Sequence, residues 1–152
     1  MRRLLAHATV PALAAAVVLS GCGGGSSRLS QAEFTRRADA ICRDFQERVN
    51  LLLEPRDLSE LANVVAQTLP ILENGLAEIR ELEPPADLED TVDQWLETGD
   101  ESIGILREIG IAARDGKRVA VIRLLRKTSA NDTRSDALAS RIGFSDCGRD
   151  SR

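Results

Sequence analysis

Sulfur, carboxylate and one imidazole are the groups in this chain that could do chemistry. The 152 residues hold three cysteines, Cys22, Cys42 and Cys147, a single histidine, His7, and 24 acidic side chains. A thiol can bridge, bind a soft metal or attack an electrophile, the last two only as thiolate. None of the three lies in a C-x-x-C setting, and Cys42 and Cys147 stand 105 positions apart, so a redox-active pair is the weaker reading of those two. A structural bridge is the stronger one, and it leaves Cys22 over as the odd sulfur.

What surrounds Cys22 accounts for it. Arg2 and Arg3 make a positive start, Val10 to Leu19 a short alanine-rich apolar run, and small residues follow. The run falls well below the roughly 18 residues that a spanning helix needs. "LSGC", Leu19 to Cys22, resembles the bacterial lipobox, in which a dedicated peptidase cuts before a cysteine that carries diacylglycerol. Residues 1–21 are then a signal peptide and 22–29 a lipidated cysteine with a flexible Gly/Ser tether, Gly23 to Ser27. Two or more acyl chains anchor stably where one does not. The expected location is the outer face of the cell membrane. An ordinary secretory signal, cut at the same small residues, is the alternative.

Cleavage there removes His7 and Met1, and the chain has no tyrosine, so the remaining domain has no His, Met or Tyr. Ser-His-Asp and Cys-His nucleophile systems, and His-ligated zinc or haem, are excluded for it. A two-carboxylate hydrolase remains formally open, yet such enzymes usually stack sugars on aromatic rings. Here there are one Trp and three Phe. No enzyme, no cofactor and no metal is expected; an EF-hand is ruled out because no D-x-[DN]-x-[DN]-G loop occurs. Formal charge goes from −4 to −6 with the loss of Arg2 and Arg3, which disfavours nucleic acid. Glu54 to Glu101 carries fourteen acidic and two basic residues, and Ser102 to Arg152 eleven basic and six acidic. Either these complement each other within the fold, or an acidic surface meets a cation or basic partner.

The elements that must position these groups are helices. Ser30 with Glu33, and Asp57 with Glu60, are capping signatures opening two of them. Phe34, Ala38, Ile41, Phe45, Val49 and Leu52 form one apolar stripe; Leu61, Val65, Leu69, Leu72, Leu76 and Ile79 form the next. Pro70 predicts a kink or break near Thr68. A third helix is expected from Pro85 or Ala86, with Val92, Trp95 or Leu96, Gly99, Ile103, Leu106, Ile109 and Ala113 inward and Gly116 at its end. A fourth spans about Lys117 to Ile142, stopped by Gly143. No segment shows strand alternation. The predicted fold is all-α: a four-helix up-down-up-down bundle over residues 30–152.

Two irregularities stand out. The fourth helix's stripe reads Val121, Leu124, Thr128, Asn131, Ser135, Leu138, Ile142, with a polar middle. Either the helix breaks near Thr128 to Thr133, or Thr128, Asn131 and Ser135 line a polar ligand pocket with Trp95 and acidic groups of the third helix. Gly99, Gly104 and Gly110 interrupt the third helix, as close helix approach would require. "RVAVIRLLRK", with Arg118, Arg123, Arg126 and Lys127, is amphipathic; its apolar face reads as core, with anionic lipid as the alternative.

In this topology Cys42 and Cys147 can be joined geometrically. Cys42 sits roughly 18 Å above the start of its helix, and the tail from Gly143 to Cys147 can extend back roughly 13 to 16 Å. A disulfide from helix one to the C-terminal tail is therefore expected, and an exported chain would keep it.

With these features in place, "LSQAEFTRRADAIC" and "RIGFSDCG" resemble the elements that bracket a helical domain in a group of small exported lipoproteins of actinobacteria. The likeness extends to the lipobox and to Pro84-Pro85 before a Trp-bearing helix. It implies location and fold and supplies no chemistry. The functional expectation is a non-enzymatic, membrane-anchored binding or envelope-assembly protein, whose partner is an envelope protein or a small ligand.

Overall fold

A computed structural model describes residues 28–148; the expected signal peptide, Cys22, most of the expected tether and residues 149–152 lie outside the described residues. Four helices follow one another: α1 (Gln31–Asn50), α2 (Leu58–Arg80), α3 (Glu89–Arg114) and α4 (Arg118–Ile142). They pack up-down-up-down, α3 lying between α2 and α4 and α1 resting on α2.

The caps form where the sequence places them. Ser30 Oγ accepts the Glu33 N–H at 3.3 Å, and Asp57 Oδ1 accepts the Glu60 N–H at 2.8 Å. The reciprocal half of each box differs. Glu33 turns to Arg36 and Arg37, whose hydrogen bonds hold its carboxyl below the ordinary 4.5. Glu60 accepts from the guanidinium and the backbone N–H of Arg56, with the same downward effect. At the end of α3, Gly116 adopts φ +70°. Lys117 N–H then reaches Ala112 O at 2.8 Å and Gly116 N–H reaches Ala113 O at 3.1 Å, the paired bonds of a Schellman turn.

Three expectations about helix limits change. α2 runs unbroken through Pro70. The ring removes the bond to the Ala66 carbonyl, but both residues are exposed, so water can take that carbonyl. α3 starts at Glu89, three to four residues late. A single turn comes first, Leu88 N–H to Pro85 O at 3.0 Å, because the loop before it is tied to the N-terminal segment: Leu29 N–H donates to Glu83 O at 2.9 Å and Arg28 to Pro84 O at 3.3 Å. α4 is continuous through residues 128–133.

The core divides in two along the bundle. Near the pole holding the start of α1 and the end of α4, Phe34, Leu76, Ile79, Val92, Trp95, Leu138 and Ile142 pack together from all four helices. Phe144 closes this cluster from the tail, stacked on Phe34 at 5.8 Å and edge-on to Trp95 at 5.1 Å. At the far pole Val65, Ile105, Ile109, Ala113 and Val121 pack without α1. Two helix approaches depend on glycine. A Cβ at Gly99 would lie 2.7 Å from Leu76 Cδ1, and one at Gly110 2.9 Å from Val65 Cγ1, whereas Gly104 has open space.

The acidic and basic halves do complement each other in part. Arg107 pairs with Glu73 between α3 and α2, and Arg134 pairs with Glu101 between α4 and α3; Arg80 and Asp100, both in the acidic stretch, pair between α2 and α3. Such exposed pairs each contribute little, about 0 to 1 kcal/mol.

Candidate functional site

Gly143, at φ +94°, turns the chain out of α4 and sends the tail back along α1. Cys147 meets Cys42 there in a disulfide with Cα atoms 5.2 Å apart. The predicted bridge is present. Beside it lies a residue that the apolar stripe does not mark. Asp39 is buried, and its carboxylate accepts the backbone N–H groups of Ser145 at 3.0 Å, Asp146 at 2.9 Å and Cys147 at 3.2 Å. Gln46 adds a bond to Asp146 O at 2.9 Å, and Arg43 pairs with the Asp146 side chain. Three successive donors converging on one buried carboxylate give its charge hydrogen-bond partners and fix the half-buried tail against α1.

Above this tail, α1 and α4 stand apart. A cleft of about 240 Å³ opens between them, walled by Phe45, Leu72, Leu76 and Trp95 and floored by the disulfide. Ser102 and Ser135 supply hydroxyls, and Asp132, Asp136 and Asp146 line the polar side. Of the four residues the sequence nominates for a pocket, two arrive there, Trp95 and Ser135.

The other two serve the helices. Thr128 donates its hydroxyl to Leu124 O, one turn back, at 3.2 Å. Asn131 is buried, and its amide donates to Thr98 O and to Ser102 Oγ, both at 2.8 Å, while its oxygen accepts from Arg134 at 3.2 Å. The polar middle of α4 is thus neither a break nor mainly a pocket wall: Asn131 joins α4 to α3. The carboxylates of the cleft come from α4 and the tail rather than from α3.

Trp95 is the distinctive wall residue. Its indole is buried, and Nε1 is the one buried side-chain polar atom without a hydrogen-bond partner among the described residues. An unpaired N–H in such a place costs about 1 to 3 kcal/mol. Among the described residues no group of three or more His, Cys, Asp or Glu is arranged to hold a metal ion, and no helix is long and apolar enough to cross a membrane.

No family model, curated protein or solved structure matches this chain. Function must be argued from the geometry.

Proposed function

We propose that this chain is an exported lipoprotein, cut before Cys22, acylated there, and held on the outer face of the cell membrane as a non-enzymatic binding domain. The observation that carries the reading is the Cys42–Cys147 bridge. It consumes two of three sulfurs and leaves Cys22 alone, directly after Leu19-Ser20-Gly21 and before a Gly/Ser tether. A long-range bridge also suits an oxidising compartment. The layout, with its likeness to small exported lipoproteins of actinobacteria, supports the same conclusion. Intact mass of protein extracted from membranes tests it. The expected mass is that of residues 22–152 plus a diacylglyceryl group, with or without a third acyl chain on the new amine, rising by two hydrogens on reduction. An unacylated chain starting at Met1 would refute it.

A second, compatible reading concerns what is bound. The cleft offers apolar walls, the hydroxyls of Ser102 and Ser135, and carboxylates on one side, which suits a small, largely apolar molecule carrying a polar group that can donate hydrogen bonds. Trp95 is the chain's only tryptophan, so its emission reports occupancy directly. A ligand that shifts this emission and raises the melting temperature with its concentration supports the cleft; one that stabilises without touching Trp95 emission places binding elsewhere. An envelope protein recovered with the tethered domain, insensitive to substitutions in the cleft, would favour the assembly role instead.

A further inference from the structure

The first ten residues of α4 break local rules without an internal gain. α1 and α2 begin with a capping side chain and a carboxylate in the first turn. α4 has neither: Lys117 makes no side-chain cap bond and no acidic residue occupies the first turn. Instead Arg118 opens the first turn, where a cation is unfavourable, and Arg123, Arg126 and Lys127 follow over the next two turns. None of the four makes an ion pair or side-chain hydrogen bond among the described residues, although most other arginines there do.

The apolar residues of this segment are divided between two faces. Val121 is buried and Leu124 packs against the far core. Val119, Ile122 and Leu125 point away from it and are 82 %, 46 % and 50 % exposed. At 100° per residue these three share the outer face with Arg118 and Arg126. Arg123 and Lys127 flank it, beside a shallow hollow that they share with Glu108 and Asp115 of α3. Large aliphatics interleaved with unpaired cations on one helix face are the pattern of a helix that lies in an anionic lipid interface.

We infer that the outer face of α4, through Val119, Ile122, Leu125, Arg118 and Arg126, rests on the anionic headgroups of the bilayer to which the chain is anchored. The inference rests on the anchor only for how the domain is brought to the surface, and the dimensions allow it. Gln31 Nε2 donates to Ile142 O at 2.9 Å, so α4 ends beside the start of α1. Lys127 lies 15 residues before Ile142, roughly 22 Å up the helix axis. The eight residues from Cys22 to Leu29 reach at most about 28 Å. The bundle can therefore lie on its side with α4 down. The charge decides for lipid over a neutral apolar partner. A second copy, offering its acidic α2 and α3 to this face, is the competing occupant.

The test uses the acylated full chain in vesicles of phosphatidylcholine, with and without phosphatidylglycerol, read by backbone hydrogen exchange. Residues 119–126 should exchange about tenfold more slowly with the anionic lipid. Raised salt should abolish that difference, as should Arg118→Gln with Arg126→Gln, substitutions at exposed positions by a good helix former. Equal exchange in both vesicles overturns the inference. So does protection that appears without vesicles and grows with protein concentration, which would assign the face to a second copy. Failure of the anchor is separately visible: a chain without acyl mass should still sediment with the anionic vesicles, about 30-fold more weakly in the double variant, and not with phosphatidylcholine alone.

Discussion

Asp39 and Cys147 are joined through the backbone, the carboxylate accepting the cysteine N–H at 3.2 Å, one helical turn before the Cys42 whose sulfur bonds that same Cys147. A covalent and a polar clasp thus hold one tail segment against one face of α1.

Removing the polar clasp should be costly. Asp39→Ala leaves three consecutive tail N–H groups without their acceptor and should lower stability by about 3 kcal/mol, or roughly 10 °C in melting temperature for a domain of this size. Asp39→Asn, which keeps one oxygen, should lose less. A loss under about 1 kcal/mol for the alanine variant would show that the tail is not held this way.

Cutting the covalent clasp acts on the unfolded chain. The bridge spans 105 positions, and the chain-entropy model assigns such a loop about 4 to 5 kcal/mol. Cys42→Ala with Cys147→Ala, or reduction, should lower the melting temperature by about 15 °C. Because Asp39 remains, the amide protons of Ser145 and Cys147 should stay protected from exchange in the reduced folded protein. Their loss would mean that the sulfur alone docks the tail.

Two glycines of α3 should respond with opposite sign to the same substitution. Gly104 faces open space, so Gly104→Ala should stabilise by about 0.5 to 1 kcal/mol. At Gly99 the new methyl would sit 2.7 Å from Leu76, so Gly99→Ala should destabilise by about 1 to 3 kcal/mol. Denaturant titration of the pair checks both.

Asn131→Asp keeps the acceptor for Arg134 but loses the two donations to Thr98 and Ser102, setting a carboxylate against a carbonyl. The expected loss is about 3 kcal/mol at neutral pH. Asn131→Leu should cost less, since it removes the polar group instead of reversing it. If leucine proves the worse variant, the α3–α4 bond is secondary to packing.

Acid should reach the α2 cap through Glu60. Its carboxyl is held below 4.5 by the Arg56 side-chain and backbone bonds. A lowered folded-state pKa contributes stability above the unfolded value, and the contribution disappears as pH falls through the folded value. The difference between the parent chain and Glu60→Gln should be full above about pH 5 and shrink steadily below it. A difference that grew on acidification would reverse this assignment.

How much of this was legible beforehand follows the range of each interaction. Ser30, Asp57, Gly116 and Gly143 act on their own neighbours, and their roles read directly from order and spacing. The bridge needed only topology and reach. Asp39 did not show, because it looks like any polar residue beside Ala38 and its partners lie 106 to 108 positions away. Asn131 showed as an anomaly in an apolar stripe, but which helix it served depended on Ser102 standing opposite. The cleft was legible in part: Trp95 and Ser135 were nominated for a pocket, but its α1 wall and its floor were not, because it exists where α1 and α4 separate above the tail, a relation between two helices that periodicity in either cannot express. Pro70 does not break α2, since the solvent side of that helix tolerates a missing bond that a buried turn would not.

The clasp between Cys42 and Cys147 also governs how the molecule would bear tension. A pull transmitted from the tether to anything gripping the tail crosses from residue 42 to residue 147 through the sulfurs, so the 105 intervening steps of chain carry no load and cannot be drawn out. Within the described helices only the turns of α1 before Cys42 can lengthen. Held at the membrane, the domain would behave as a short, nearly inextensible link whose helices stay folded until the sulfurs part.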